Sequence, residues 1–251
     1  MALIENIADL ALAPLYVAQA IYARRKAPRL PEPAGARAGL AGSGTELRLL
    51  IAGDSSAAGV GVSTQDDALA GKLTRHLSER FSVSWRLVAE SGLTTAGIAN
   101  LLERTEPAAF DIAVVAAGGN DLTHRVPVEQ WLQDFDRLVA LLATRFTVSR
   151  IFISPLPPMH EFPALPRPLR GYVGRRAREY NAALSGFAQA RSTCTLLGDA
   201  FALRNSAIRI QDLMSSDGFH PGAPVYAGWA ECAAAAICAG TGLQSHPGSR
   251  P

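Results

Sequence analysis

The sequence predicts an α/β protein with a mostly parallel sheet that is covered by helices on both faces. Short apolar runs alternate along the chain with longer segments of helical periodicity. The runs are apolar throughout, rather than at every second residue, which is typical of strands buried on both faces. Hydrophobic residues make up 48% of the 251 residues and charged residues 18%, so the chain can bury a large core.

The elements follow from these patterns in order. Strands are predicted over residues 47–52, 83–89, 112–117, 150–154 and 193–197. Helices are predicted over residues 66–81, 94–106, 128–146, 171–191 and 224–239. The helix over 66–81 rests on Leu69, Leu73, Leu77 and Phe81, which share one helical face. No internal repeat and no second large domain is predicted.

Composition excludes several classes of function. The net charge is only +2, without a basic stripe carrying interleaved aromatic residues, so no nucleic-acid partner is expected. The cysteines Cys194, Cys232 and Cys238 are odd in number and lack metal-ligand spacing. We therefore expect buried free thiols, no disulfide framework and no metal.

The N-terminal 45 residues are expected to form an amphipathic helix followed by a linker rich in proline and glycine, and residues 241–251 a frayed tail. A secretory signal requires positive charge before its apolar segment, but no Lys or Arg precedes the apolar segment here. The charge-free run of this segment is also short for a membrane span. Four roles stay open: packing on the same domain, dimerisation, contact with a membrane surface, and an unusual signal or anchor. The expected location is cytoplasmic, with membrane association through this segment left open.

Ser55 follows the first strand, in the stretch LLIAGDSSAAGVG. Asp54, Ser55 and Ser56 are good turn and helix caps, and a serine in this place is also a candidate nucleophile. The G-x-S-x-G motif of α/β-hydrolases is absent, and the glycines after Ser55 do not complete a dinucleotide-binding fingerprint.

Among the five histidines, His220 stands in the stretch SSDGFHPG, three residues after Asp217. A turn with this spacing brings the carboxylate to the imidazole, although the same residues also suit a plain surface turn. Oxyanion donors are offered by Gly92 in AESGLTTAG and by Asn120 in AAGGNDL. Each of these two also suits a turn or a helix cap.

Together, these four blocks resemble the SGNH (GDSL-type) hydrolase family, from about residue 47 to residue 239. The resemblance implies a flavodoxin-like three-layer α/β/α sandwich with about five parallel strands, and a hydrolase domain over 46–240. It also implies ester hydrolysis by Ser55, His220 and Asp217 without metal or cofactor. The oxyanion hole would consist of the Ser55 and Gly92 backbone N–H groups and the Asn120 amide.

The substrate expected is a small carboxylic ester. After the fourth strand, the stretch PLPPMHEFPALPRPLRGY places Leu156, Met159, Phe162 and Leu165 where they could line an acyl or aryl pocket or cover the sheet end. No long inserted lid is visible, which favours short-chain or aryl esters. The alternatives are a carbohydrate O-acetylesterase, a lysophospholipase or thioesterase, and, in another class, a non-catalytic phosphate- or flavin-binding module.

Overall fold

The computed structural model describes residues 2–201 and 208–240, and it contains a six-stranded sheet. The strands are β1 (Ala38–Ala41), β2 (Thr45–Gly53), β3 (Phe81–Ala89), β4 (Ile112–Ala116), β5 (Arg150–Ile153) and β6 (Cys194–Leu196). Their order is β1-β3-β2-β4-β5-β6. Five strands are parallel and β1 is antiparallel at one edge, which confirms the predicted fold class.

Helices cover both faces of this sheet. They are α1 (Ala2–Lys26), α2 (Ser55–Ala58), α3 (Leu69–Ser78), α4 (Thr95–Arg104), α5 (Gly119–Thr123), α6 (Val128–Arg145), α7 (Leu169–Gln189), α8 (Ile210–Leu213) and α9 (Ala223–Gly240). A core under α4, α6 and α7 includes Leu50 and Ala52 of β2, and the core under α3 and α9 includes Leu49 and Ile51. Both faces of β2 are thus buried, which is why its sequence is apolar throughout.

The predicted helix over 66–81 is shorter in the structure. It covers Leu69–Ser78, and Phe81 begins β3, where it pairs with Thr45 of β2. Phe81 is buried in the same core as Leu73 and Leu77. Its position in the sequence also continues their helical spacing, which is why the helix was predicted to extend to this strand residue.

The segment expected to be a linker is attached to the α/β domain. Residues 38–41 form β1, and Ala34 makes a bridge with Thr64. Arg37 donates to the backbone carbonyl of Ala89 at the end of β3. The predicted tail over 241–251 lies outside the described residues.

Helix α1 packs along α7 in the opposite direction. Asp9 pairs with Arg175, with 2.5 Å between Oδ1 and Nη2, and the Tyr16 ring stacks on Tyr172 with 4.8 Å between centroids. Gln19 accepts from the backbone N–H of Leu169 at 3.0 Å. Within residues 2–201 and 208–240, no helix combines the length and hydropathy needed to cross a membrane.

Candidate active site

A cavity of about 90 Å³ opens at the carboxyl ends of β2, β4 and β5. Its lining includes Ser55, Asn120, Met159, Phe162, Phe219 and His220. The chain leaves β2 toward β3 on one side, whereas β4 lies on the other side of β2. Such a change of direction leaves a crevice at the carboxyl ends of the strands, which is where ligands of open α/β sheets bind.

The turn after β2 fixes the place of Ser55. A Cβ on Gly53 would lie 2.4 Å from the Ala116 carbonyl oxygen, so only glycine allows this close approach to β4. Asp54 caps the next turn by accepting from the Ser56 backbone N–H at 3.0 Å and from the Ser56 hydroxyl at 2.7 Å. Burial raises the pKa of the Asp54 carboxyl. Asp54 therefore holds the turn that presents Ser55.

His220 lies between Ser55 and Asp217. Its Nε2 is 2.9 Å from the Ser55 Oγ, and its Nδ1 is 2.5 Å from the Asp217 Oδ2. With the proton on Nδ1, the ring donates to the carboxylate and its Nε2 accepts from the serine hydroxyl. The structure thus brings together three residues that are up to 165 positions apart in the sequence.

The Asp217 carboxylate is held by donors on both oxygens. Its Oδ1 accepts from the Phe219 and His220 backbone N–H groups, each at 2.9 Å, and from the Ser215 hydroxyl at 2.7 Å. Burial alone would raise the pKa of this carboxyl, but these hydrogen bonds and the one from the imidazole outweigh it and hold the pKa well below its ordinary value. Asp217 is therefore ionised beneath the ring, with its side chain only 3% exposed.

Gly61 lets the His220 loop pack against the Ser55 turn. Its φ is +114°, and a Cβ there would lie 2.1 Å from the Pro221 carbonyl oxygen. A side chain at this position would push the loop that carries His220 away from Ser55. This close contact accounts for one glycine of the GVG stretch.

Asn120 joins the loops that follow β3 and β4. Its Nδ2 donates to the Leu93 carbonyl oxygen at 2.9 Å. The neighbouring Asp121 is fully buried and accepts from the Thr95 backbone N–H and hydroxyl, each at 2.9 Å. Asn120 lines the cavity, whereas Gly92, with φ +85°, is absent from its lining. The role of Gly92 stays a prediction.

Glu32 anchors the loop that contains Gly92. Its Oε1 accepts from the Ser91 backbone N–H and hydroxyl, each at 2.8 Å, and its Oε2 pairs with Arg37 Nη1 at 2.8 Å. Burial would raise the pKa of the Glu32 carboxyl, but these hydrogen bonds lower it below the ordinary value. Glu32 was not predicted as a site residue, because it lies in the segment expected to be a linker, 59 positions before Ser91.

The proline-rich loop supplies part of the apolar wall. Of the four residues that could line a pocket or cover the sheet end, Leu156, Met159 and Phe162 line the cavity, whereas Leu165 does not line it and is buried in the core beside it. Leu165 was a candidate for the pocket wall because residues that pack in a core and residues that line a pocket have the same apolar character.

Phe219 was not predicted to line the cavity. Its ring lies edge-on to those of Phe162 and His220, with centroids 5.6 Å and 5.4 Å away. The motif DGFHP contains it, so its position beside His220 was a usable signal. Trp229, whose Nε1 donates to the Ser154 hydroxyl at 2.9 Å, adds a further buried aromatic group to the lining.

Comparison with known proteins gives a consistent result. The chain matches the GDSL-like lipase/acylhydrolase family over residues 51–227. It is 28% identical over 194 residues to a GDSL-like esterase of Mycobacterium tuberculosis, in an alignment that covers 72% of this chain and 59% of that relative's length.

Two esterases are among the solved structures that share the fold. A psychrotrophic esterase from Pseudoalteromonas sp. is 18% identical with a TM-score of 0.57, over 78% of this chain and 98% of that one. A carbohydrate acetylesterase from Sinorhizobium meliloti is 15% identical with a TM-score of 0.57, over 77% of this chain and 99% of that one.

Proposed function

Since the chain belongs to the GDSL-like lipase/acylhydrolase family, we propose that it is a serine esterase that cleaves carboxylic esters through an acyl-enzyme. One observation carries this proposal: the continuous contact from the Ser55 hydroxyl through His220 to the Asp217 carboxylate, at the cavity. A module that only binds phosphate or flavin has no use for a buried carboxylate aligned behind an imidazole and a hydroxyl. The contact therefore favours an enzyme over a binding module.

The proposed mechanism assigns one task to each group. His220 Nε2 takes the Ser55 proton as the serine oxygen attacks the ester carbonyl, and Asp217 stabilises the imidazolium that forms. The Ser55 and Gly92 backbone N–H groups and the Asn120 amide donate to the oxyanion. His220 then gives its proton to the leaving alcohol. Water resolves the acyl-enzyme by the same route.

The cavity favours a small acyl or aryl group. Its volume is about 90 Å³, several times the roughly 10–15 Å³ that a cavity needs to hold a single water molecule. Leu156, Met159, Phe162 and Phe219 make its wall largely apolar. Carbohydrate acetyl esters stay an alternative because an acetyl group also fits this volume, and lysophospholipids and thioesters are the other candidates.

A panel of p-nitrophenyl esters tests this preference. We expect kcat/KM to be highest for acetyl to butyryl esters and to fall at least about tenfold toward palmitoyl, since about 1.4 kcal/mol of lost transition-state binding gives that factor. Acetylated sugars and lysophospholipids are assayed alongside, with Ser55→Ala as the blank. A maximum at palmitoyl or on lysophospholipids would refute the short-acyl preference.

Glu32→Ala is expected to lower kcat about tenfold with little change in KM, because the Ser91–Gly92 loop loses its anchor while the apolar wall stays intact. Glu32→Gln should restore part of the loss, since it keeps an acceptor for Ser91. Glu46→Ala, at an exposed glutamate of β2, is the matched control. Unchanged kcat in Glu32→Ala, or a change in KM alone, would contradict this positioning role.

A further inference from the structure

The outer face of α1 is apolar and uncovered. Seven large hydrophobic side chains are exposed among the described residues, and α1 holds five of them: Leu10, Leu15, Val17, Ile21 and Tyr22. Leu10 alone is 77% exposed. Such a concentration on one helix differs from the scattered single residues of an ordinary surface and marks an interaction site.

Three of these side chains form one strip along α1, whereas Leu15 and Tyr22 point roughly 100–160° away from it. At 100° per residue, Leu10, Val17 and Ile21 point within about 40° of one another. They lie away from Tyr16, which is buried against α7. Residues 10–23 contain no charged side chain. The strip therefore faces solvent without any polar group that would make exposure favourable.

A basic cluster follows this strip directly. Arg24, Arg25 and Lys26 form the last turn of α1, and all three are exposed. In the described part of the chain, none of them pairs with an acidic side chain. Lys26 lies over the Tyr22 ring, 5.6 Å from its centroid. An apolar strip that ends in cations without acidic partners complements a surface that has an apolar interior and negative headgroups.

The direction of α1 places the basic cluster near the catalytic edge. Helix α7 begins after β5, at the carboxyl edge of the sheet, and α1 runs antiparallel to it. Gln19 lies beside Leu169 at the start of α7, whereas Asp9 lies beside Arg175, one to two turns further along. The C-terminal end of α1 is therefore at the same edge as the cavity.

We propose that the exposed face of α1 binds an anionic lipid surface, with Arg24, Arg25 and Lys26 at the headgroups, at the same edge of the sheet as the cavity. A second copy of the chain fits less well. Pairing two of these strips would bury apolar groups, but residues 10–23 offer no carboxylate to the partner's basic cluster. Anionic lipids satisfy both features, and the binding requires no catalytic step.

Vesicle co-sedimentation of the full chain tests the proposal. Phosphatidylcholine vesicles that contain phosphatidylglycerol should sediment the protein, and vesicles of phosphatidylcholine alone should bind it much more weakly. Added salt should weaken the binding. The triple variant Arg24→Gln, Arg25→Gln, Lys26→Gln should lose about fivefold in affinity per charge removed. A second triple variant, Leu10→Ser with Val17→Ser and Ile21→Ser, should lose binding even to the anionic vesicles.

Matched controls are Arg178→Gln, at an exposed arginine of α7, and Leu40→Ser, at the exposed leucine of β1. Both should bind as the unchanged protein does. All variants should retain hydrolysis of a soluble short-chain ester, which separates loss of membrane binding from loss of fold or of the proposed activity. The proposal would be overturned if the protein bound both vesicle types equally or bound neither. It would also be overturned if the only effect of the apolar-strip variant, measured by light scattering, were to convert a dimer to a monomer.

Discussion

Ser55→Ala and His220→Ala are each expected to lower kcat for a short acyl ester by roughly four to six orders of magnitude, and the double variant by no more than either single one. The reason is that the two groups act as one unit. Without the imidazole the serine hydroxyl is a weak nucleophile, and without the serine the imidazole has no proton to take. Steady-state hydrolysis by the three purified variants measures this.

Ser56→Ala is the matched control for these variants. Its hydroxyl is next to Ser55 and donates to Asp54 at 2.7 Å, so it contributes to the turn and not to the proton transfer. Its kcat should stay within about tenfold of the unchanged enzyme, the cost of about one neutral hydrogen bond. Near-normal hydrolysis by Ser55→Ala, or losses that add in the double variant, would contradict the triad.

Asp217→Asn is expected to lower kcat by about 10⁴-fold. The amide has no negative charge to stabilise the imidazolium, and an amide NH₂ facing Nδ1 would favour the wrong tautomer of His220. KM should change little, since Asp217 does not line the cavity.

Asp212→Asn serves as its control, because that exposed carboxylate lies on the same segment and pairs only with Arg209 among the described residues. We expect wild-type kcat for it. Thermal unfolding of both variants separates a catalytic loss from loss of the loop, which Asp217 also holds through three donors. A kcat for Asp217→Asn within tenfold of the unchanged enzyme, in a folded protein, would show that the carboxylate is not needed.

The parallel strands could be predicted because burial on both faces leaves an unbroken apolar run, as in residues 49–52. The edge strand β1 could not, since its four residues AGLA are mostly exposed and stand among prolines and glycines. The end of α3 was misplaced for a related reason: Phe81 is buried with the helix, and hydrophobic spacing reports burial and not backbone conformation.

Within the site, the position of Ser55 at the carboxyl end of a parallel strand could be predicted, because such ends meet at one edge of the sheet. Its contact with His220 was implied only by the resemblance to the SGNH family, since His220 lies between α8 and α9 and does not follow a strand. The contact between Glu32 and Ser91 had no such signal. This contact depends on the path of the segment between α1 and β1 across the domain, and the hydrophobic periodicity of the sequence does not predict the path of a segment without helix or strand. Leu165 was a candidate for the cavity wall and does not line it, whereas Phe219 lines it and was not a candidate. The sequence could not distinguish them, because apolar character alone does not show which side chain faces a cavity.

The most direct test of the nucleophile is labelling with a fluorophosphonate, followed by intact-mass measurement and peptide mapping. We expect one adduct, on Ser55, in the unchanged protein, no adduct in Ser55→Ala, and much slower labelling in His220→Ala. An adduct on another serine, or an unlabelled protein that still hydrolyses esters, would contradict it.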